Sequence, residues 1–248
     1  KGRDGHLWIS SDDFLDRFDP VAEVFTRYRS EPGGIEGQVY HINEDRAGQM
    51  WLATDYGLVK LDPVTGTTIR YEHRPSDGTT LSSNFVRFTL EARDGSFWIA
   101  TTSGLDVFDR QAGRVIRRVP LDVGVQNALM SLLEDHRGVL WVSYSSGDGL
   151  ANVDRATYGV TYYSTHEREP DPSQLSGVED ILEDHDGALW FATRGNGLLK
   201  LDKDRTQLIR YRNRPDDSTS LSEDYIYCLF ADGDGGIWAG TSGGGVNR

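Results

Sequence analysis

All six tryptophans of the chain stand in one motif: GHLWIS at Trp8, GQMWLAT at Trp51, GSFWIAT at Trp98, GVLWVSY at Trp141, GALWFAT at Trp190 and GGIWAGT at Trp238. Successive tryptophans are 43, 47, 43, 49 and 48 residues apart. A self-similar period of about 40–50 residues restricts a chain to repeat architectures.

Each period resolves into four short runs. The first is apolar, as in QVYHINED, FVRFTLEARD or YIYCLFADGD. The second carries the tryptophan. A third begins with glycine and ends in aspartate (GLVKLD, GLDVFD, GLANVD, GLLKLD), and the fourth reads VFTRYR, TIRYEH, VIRRVP, VTYYST or LIRYRN. Runs this short, rich in β-branched and aromatic residues and bounded by turn residues, are strands. No stretch keeps the 3.6-residue period of a helix. Stretches such as LWFA and YIYCLF are apolar at consecutive positions, so both faces of each small sheet must be covered. The expectation is an all-β fold, a β-propeller of four-stranded antiparallel blades. Five to six repeats are visible. The phase of the motif, from a second strand to a third, predicts one propeller domain over 1–248 that is incomplete at both ends, an excerpt of about seven blades.

Composition agrees. A length of 248 is ordinary for one all-β domain, and 28 glycines against 8 prolines favour tight turns over Pro-rich linkers. In EDHDGALW, Gly187 is expected at positive φ and Asp184 at the backbone N–H groups of the turn. Trp190 is expected between blades, Gly197 at the start of the third strand and Asp202 at the turn into the fourth. Cys228, the only cysteine, lies in an apolar run and is expected to be a buried, inert thiol.

A net charge of −13 excludes a broad phosphate-binding face, so no nucleic-acid partner is expected. No apolar run reaches the roughly 18 residues of a membrane span, and KGRDGHLWIS is not a signal peptide, so membrane attachment would come from segments outside this stretch.

Most charged motifs are phased with the repeat and so read as architecture. The pairs Glu44–Asp45, Glu134–Asp135 and Glu183–Asp184 recur once per blade rather than facing each other across one reaction centre. The outer-strand arginines Arg27, Arg70, Arg117 and Arg210 are expected on the rim, guarding edges and packing on tyrosine rings. The aspartate–glycine spacing departs from that of a sialidase Asp box. The six histidines form no metal-ligating pattern, and neither a phosphate loop nor a Gly-x-Ser-x-Gly elbow occurs. No catalytic residue, metal or cofactor is therefore expected.

The repeats differ in the turn between second and third strands: SSDDF, TDYG, TTSG, YSSGDG, TRGNG and TSGGG. Asp12, Asp55, Tyr56, Tyr144, Asp148, Arg194 and Asn196 form the candidate ligand-binding set, a mixture of acids, aromatics, an arginine and an amide suited to hydroxyl-rich ligands.

The phrase ED-x-x-G-x-(L/M)-W-(I/L/F)-A-T-x-x-G-L-x-x-(F/L)-D, followed by IRY and then RPSDGTTLSSNFV or RPDDSTSLSEDYI, resembles the two-component regulator propeller repeat. Leu81–Ser82, Leu221–Ser222 and Leu175–Ser176 fit its inter-repeat segment, and segments 30–38 and 120–127 depart from it. The resemblance implies the periplasmic, extracytoplasmic sensing region of a bacterial receptor whose histidine kinase or diguanylate cyclase output lies elsewhere. It implies a small-molecule or oligosaccharide ligand, self-association of the receptor, and no chemistry in this region. A propeller enzyme, a polysaccharide lyase or glycosidase using non-repeated loops, is one alternative, and a protein-docking scaffold is another.

Overall fold

Short runs separated by tight turns pair with their neighbours in sequence, so each repeat becomes one antiparallel meander. The computed structural model describes residues 2–11, 14–29, 35–119, 121, 128–145, 149–162, 175 and 177–248. Among these are six sheets. The first holds β1 (Leu7–Ser10), β2 (Phe14–Asp19) and β3 (Val24–Arg29). The second holds β4 (Val39–Glu44), β5 (Met50–Thr54), β6 (Gly57–Leu61) and β7 (Thr68–Tyr71). The third holds β8 (Val86–Glu91), β9 (Phe97–Thr101), β10 (Gly104–Asp109) and β11 (Arg114–Val119). The fourth holds β12 (Leu129–Glu134), β13 (Leu140–Tyr144), β14 (Leu150–Val153) and β15 (Val160–Tyr162). The fifth holds β16 (Val178–Glu183), β17 (Leu189–Thr193), β18 (Leu198–Leu201) and β19 (Leu208–Tyr211), and the last β20 (Ile226–Ala231), β21 (Ile237–Thr241) and β22 (Val246–Asn247). The fold is all-β, built of propeller blades. No helix of the described residues is long and apolar enough to cross a membrane.

The chain divides into two compact units, residues 1–121 and 122–248. In the first, Trp8 packs with Leu15, Val39, Leu52 and Val59, and Trp51 with Val86, Phe97, Ile99 and Phe108, so each tryptophan reaches into the next sheet. In the second, Trp141 packs with Val178, Leu189, Phe191 and Leu199, and Trp190 with Ile226 and Ala239. Strands β5, β9 and β13 are buried at every residue, whereas the outer strands β7 and β19 are part-buried or exposed throughout. Fully burying a large apolar side chain contributes about 1.5–3 kcal/mol, so the sheet-to-sheet seams carry most of the stability.

In four of the sheets an aspartate stands six residues before the tryptophan and binds it. Asp135 Oδ1 accepts the backbone N–H groups of Arg137 and Val139 (both 3.0 Å), and its Oδ2 accepts the Trp141 indole N–H at 2.9 Å. Arg205, from the next sheet, donates to the same Oδ2 at 3.1 Å. Asp45 repeats the set with Ala47, Gln49, Trp51 and Arg110. Asp184 and Asp232 repeat the amide and indole bonds, but their cations, Lys200 and Arg248, come from their own sheets. In the third sheet that position is Ala92, and Ser96 substitutes: its Oγ accepts from Trp98 Nε1 at 2.8 Å and donates to Asp94 at 2.6 Å. Gly187 closes its turn at φ 84°. At Gly197 (φ 81°) a Cβ would lie 2.2 Å from the Tyr211 carbonyl oxygen, so only glycine fits.

The carboxylate pairs divide their labour. While the aspartates bind their own tryptophan hairpin, the glutamates accept a backbone N–H from the preceding sheet: Arg3 to Glu44 at 2.8 Å, Arg46 to Glu91 at 2.6 Å and His136 to Glu183 at 2.7 Å.

One expectation is corrected. Cys228 is exposed, not buried: β20 packs on β16 and β17 by one face only, and its other face is open. Of the rim arginines, Arg27, Arg70 and Arg210 also hold groups of their own sheets. Arg70 donates to the Tyr56 carbonyl at 3.0 Å, Arg210 donates to the Asn196 carbonyl at 2.8 Å, and Arg27 pairs with Asp16. The cations lying over tryptophan rings include Arg17, Lys60, Lys200, Arg205 and Arg248.

Asp135→Ala strips partners from a buried indole and a buried guanidinium and is expected to cost about 3–5 kcal/mol. Asp184→Ala, whose cation stands off at 3.7 Å, should cost less. Urea midpoints checked by tryptophan fluorescence would refute this account if the order were reversed.

Candidate functional site

Every innermost strand carries a register shift near its start. Val39 pairs with Thr54 and His41 with Ala53, leaving Tyr40 as the extra residue. Arg87 is the extra residue in β8, Glu179 in β16 and Tyr227 in β20, and the shift in β12 spans Met130 and Ser131. A β-bulge re-aims a side chain without disturbing the ladder below it. The flanking residues Val39, Val86, Leu129, Val178 and Ile226 stay aliphatic and buried, whereas the bulged residues change from blade to blade.

The bulges lie beside the turns joining second and third strands. The N–H of Thr102 donates to the Phe85 carbonyl (3.1 Å), that of Ser145 to Ala128 (3.0 Å), that of Arg194 to Gly177 (2.9 Å) and that of Ser242 to Tyr225 (2.9 Å). Each unit thus presents an edge built from bulge residues, the residues just before the innermost strands, and these turns.

In the second unit this edge gathers Glu179, Arg194, Tyr225, Tyr227 and Ser242. Arg194 Nε donates to Glu179 Oε1 at 2.6 Å, and its guanidinium lies 5.7 Å from the Tyr225 ring centroid. Partial burial opposes the charge on Arg194, but Glu179 outweighs it and raises the pKa. The Tyr225 and Tyr227 rings are 4.7 Å apart, and the Tyr227 hydroxyl donates to Ser242 Oγ at 3.4 Å. Tyr227 is 52% exposed, which leaves an aromatic face beside an ion pair. Gly177 allows the approach, since a Cβ there would meet the Arg194 Cβ at 3.1 Å.

The turn residues expected to bind ligand fare differently. Tyr56 is exposed, and Asp55 is spent on the N–H of Gln38 at 2.9 Å. Tyr144 ends a strand, is 3% exposed and packs toward Tyr162; burial pushes its phenol up. Asn196 Oδ1 accepts from Arg210 at 3.0 Å and so serves the turn. Arg194 stands in the edge cluster. Asp12 and Asp148 lie outside the described residues. The bulge residues are absent from that set; in sequence they share their variability with the residue that follows, as in VYHINE, VRFTLE, VEDILE and IYCLFA.

Two titratable groups lie one residue below the bulges. His41 stacks on Phe88 at 3.7 Å, and burial pushes its pKa down to about 4, so the neutral imidazole accepts the Thr89 N–H. Asp180 Oδ1 accepts from Ser131 Oγ at 3.1 Å and from the Ile181 N–H, while Oδ2 accepts the Leu229 N–H at 2.9 Å. It ties β12, β16 and β20 together, and burial raises its pKa against those bonds. Among the described residues no group of three His, Cys, Asp or Glu side chains is placed to hold a metal ion.

A cleft of about 550 Å³ between the last two sheets is lined by Trp190, Leu198, Tyr211, Leu221, Ile237 and Ala239. In the first unit the equivalent space is about 210 Å³ and is bounded by Gly113 and Arg114, at the start of β11. There Val115 donates to the Thr79 carbonyl.

Four-stranded meanders stapled by a repeated Asp–Trp pair, with variable residues confined to one edge, define a β-propeller. Residues 174–195 and 220–243 match the family model described as two component regulator propeller. No curated protein matches the chain. The fold is similar to the extracellular domain of a one component system of B. thetaiotaomicron (20% identity, TM-score 0.78, 97% of this chain and 30% of that one). It is also similar to the extracellular domain of a hybrid two component system of that organism (21% identity, TM-score 0.62, 99% and 38%). The chain therefore spans about a third of the length of these relatives. A catalytically inactive virginiamycin B lyase from Staphylococcus aureus shares the fold at 15% identity (TM-score 0.74, 99% and 76%).

Asp45, Asp135 and Asp184 are pulled up by burial but held lower still by indole, backbone and cation, so their net pKa is depressed. Their stabilisation is present above the unfolded value of about 3.9 and lost as pH falls through the folded values. Asp180 has the opposite sign: its contribution is present below about 3.9 and lost as pH rises through its raised value. Denaturant titrations of Asp180→Ala against wild type should therefore show a larger destabilisation at pH 4 than at pH 7. Equal penalties would sink the assignment.

Proposed function

We propose that the chain is part of the extracytoplasmic sensing region of a two-component-type receptor, and that it binds a small, hydroxyl-rich ligand without chemistry. The observation that carries this reading is where the repeat is broken. The tryptophan hairpins recur from blade to blade with few departures, while the bulge residues and the turns beside them differ in each. Exposed Tyr227 offers a ring for a sugar face, and Glu179, Arg194 and Ser242 offer donors and acceptors around it. The extracellular systems to which the fold is similar support a place outside the cytoplasm and a sensing role.

A lyase shares the fold, but fold alone carries no activity. Asp180, a part-buried and non-repeated carboxyl of this edge, already accepts three hydrogen bonds, which favours a structural over a catalytic use.

A thermal-shift screen against neutral oligosaccharides tests the proposal. Ligand at a hundredfold excess over Kd should stabilise the fold by about 2.7 kcal/mol. Tyr227→Ala and Arg194→Ala should remove the shift while leaving the unliganded Tm within a few degrees. A shift that survives both variants, or a folded chain that responds to no glycan, would overturn it.

A further inference from the structure

The first unit carries a second arginine at a bulge, and its surroundings differ from those of Arg194. The Arg87 guanidinium lies 4.4 Å from the Tyr40 ring centroid and 5.9 Å from that of Phe85, and the two rings are 5.0 Å apart at 32°. Its Nε is buried without a hydrogen-bond partner. Among the described residues no carboxylate pairs with it, in a chain with 39 acids for 26 basic residues. Other part-buried arginines of the seams each meet an acid: Arg17 meets Asp4, Arg110 meets Asp45 and Glu91, and Arg205 meets Asp135.

A part-buried guanidinium with no anion beside it is costly, and a planar cation packed against aromatic faces is matched by a carboxylate whose attached ring extends the stack. The rings position the cation but cannot neutralise it. The bulge places the group on the edge that carries the turns, and the Thr102–Phe85 bond holds one ring in place.

We propose that Arg87, Tyr40 and Phe85 form a seat for the carboxylate of a ring-bearing ligand. The seat rests on the reading of this edge as ligand-binding, but it uses residues separate from the Glu179–Arg194–Tyr227 cluster.

The test measures binding of benzoate to the full chain by calorimetry and thermal shift, with benzamide as the neutral isostere and sulfate as the ringless anion at matched ionic strength. Benzoate should bind and raise the Tm, and benzamide and sulfate should do neither. Arg87→Gln should weaken benzoate about tenfold or more, the loss expected for charge-assisted hydrogen bonds. Arg87→Lys keeps the charge without the fork; it should weaken benzoate measurably, and it serves if the glutamine variant fails to fold. Arg194→Ala should leave benzoate binding unchanged, so a failure of the oligosaccharide screen and a failure here remain distinct. Equal responses to benzoate and benzamide, a response to sulfate as large as that to benzoate, or retention in both Arg87 variants would overturn the seat.

Discussion

One carboxylate per hairpin holds this fold together. Asp45 and Asp135 each accept two turn amides, one indole N–H and one guanidinium from the neighbouring sheet, so a single buried charge closes a turn, orients a tryptophan and joins two blades. Such a charge is tolerable only because its acceptor sites are filled. The third sheet, with Ala92 in that place, keeps the indole bond through Ser96 and so preserves the geometry with a neutral acceptor. Tryptophan position thus depends on an acceptor at the turn rather than on aspartate as such.

Because the staple sits at the hairpin between first and second strands, the opposite ends of those strands carry no structural charge of this kind. The turns there are held by backbone bonds such as Gly57 to Asn84 and Gly197 to Asp224, which fix the glycines and leave the other turn residues free to vary. Residues at that end can change without cost to the seams. This is where aromatic, acidic and basic groups meet: Tyr40 with Arg87, and Glu179 with Arg194 and Tyr225.

The strand count, blade plan and inter-blade placement of Trp190 were legible because they follow from composition and period, which a sequence displays directly. The aspartate was read as a turn residue, and its grip on Trp190 Nε1 was not, because a contact over six residues depends on the hairpin twist. The candidate site was half legible. Tyr56 and Arg194 are exposed on turns as expected, but Tyr144 is buried, since it occupies the last position of a strand buried on both faces. Tyr227 was hidden inside the apolar run YIYCLF and Glu179 inside the mixed run VEDILE, because a register shift leaves no mark on a hydrophobicity pattern. Cys228 was misjudged for a related reason: the apolar run around it has a second sheet on one side only.

The bulge has a further consequence for how such a protein can diversify. An inserted residue adds a position whose side chain answers neither to the core beneath it nor to a partner strand beside it. Exchange at Tyr40, Arg87, Glu179 or Tyr227 therefore alters the chemistry of the edge one blade at a time, while the ladder on either side keeps its pairing. A set of such blades resembles a rack of interchangeable contacts on a common frame. New recognition can then arise by point substitution, with no loop to be lengthened and no seam to be rebuilt.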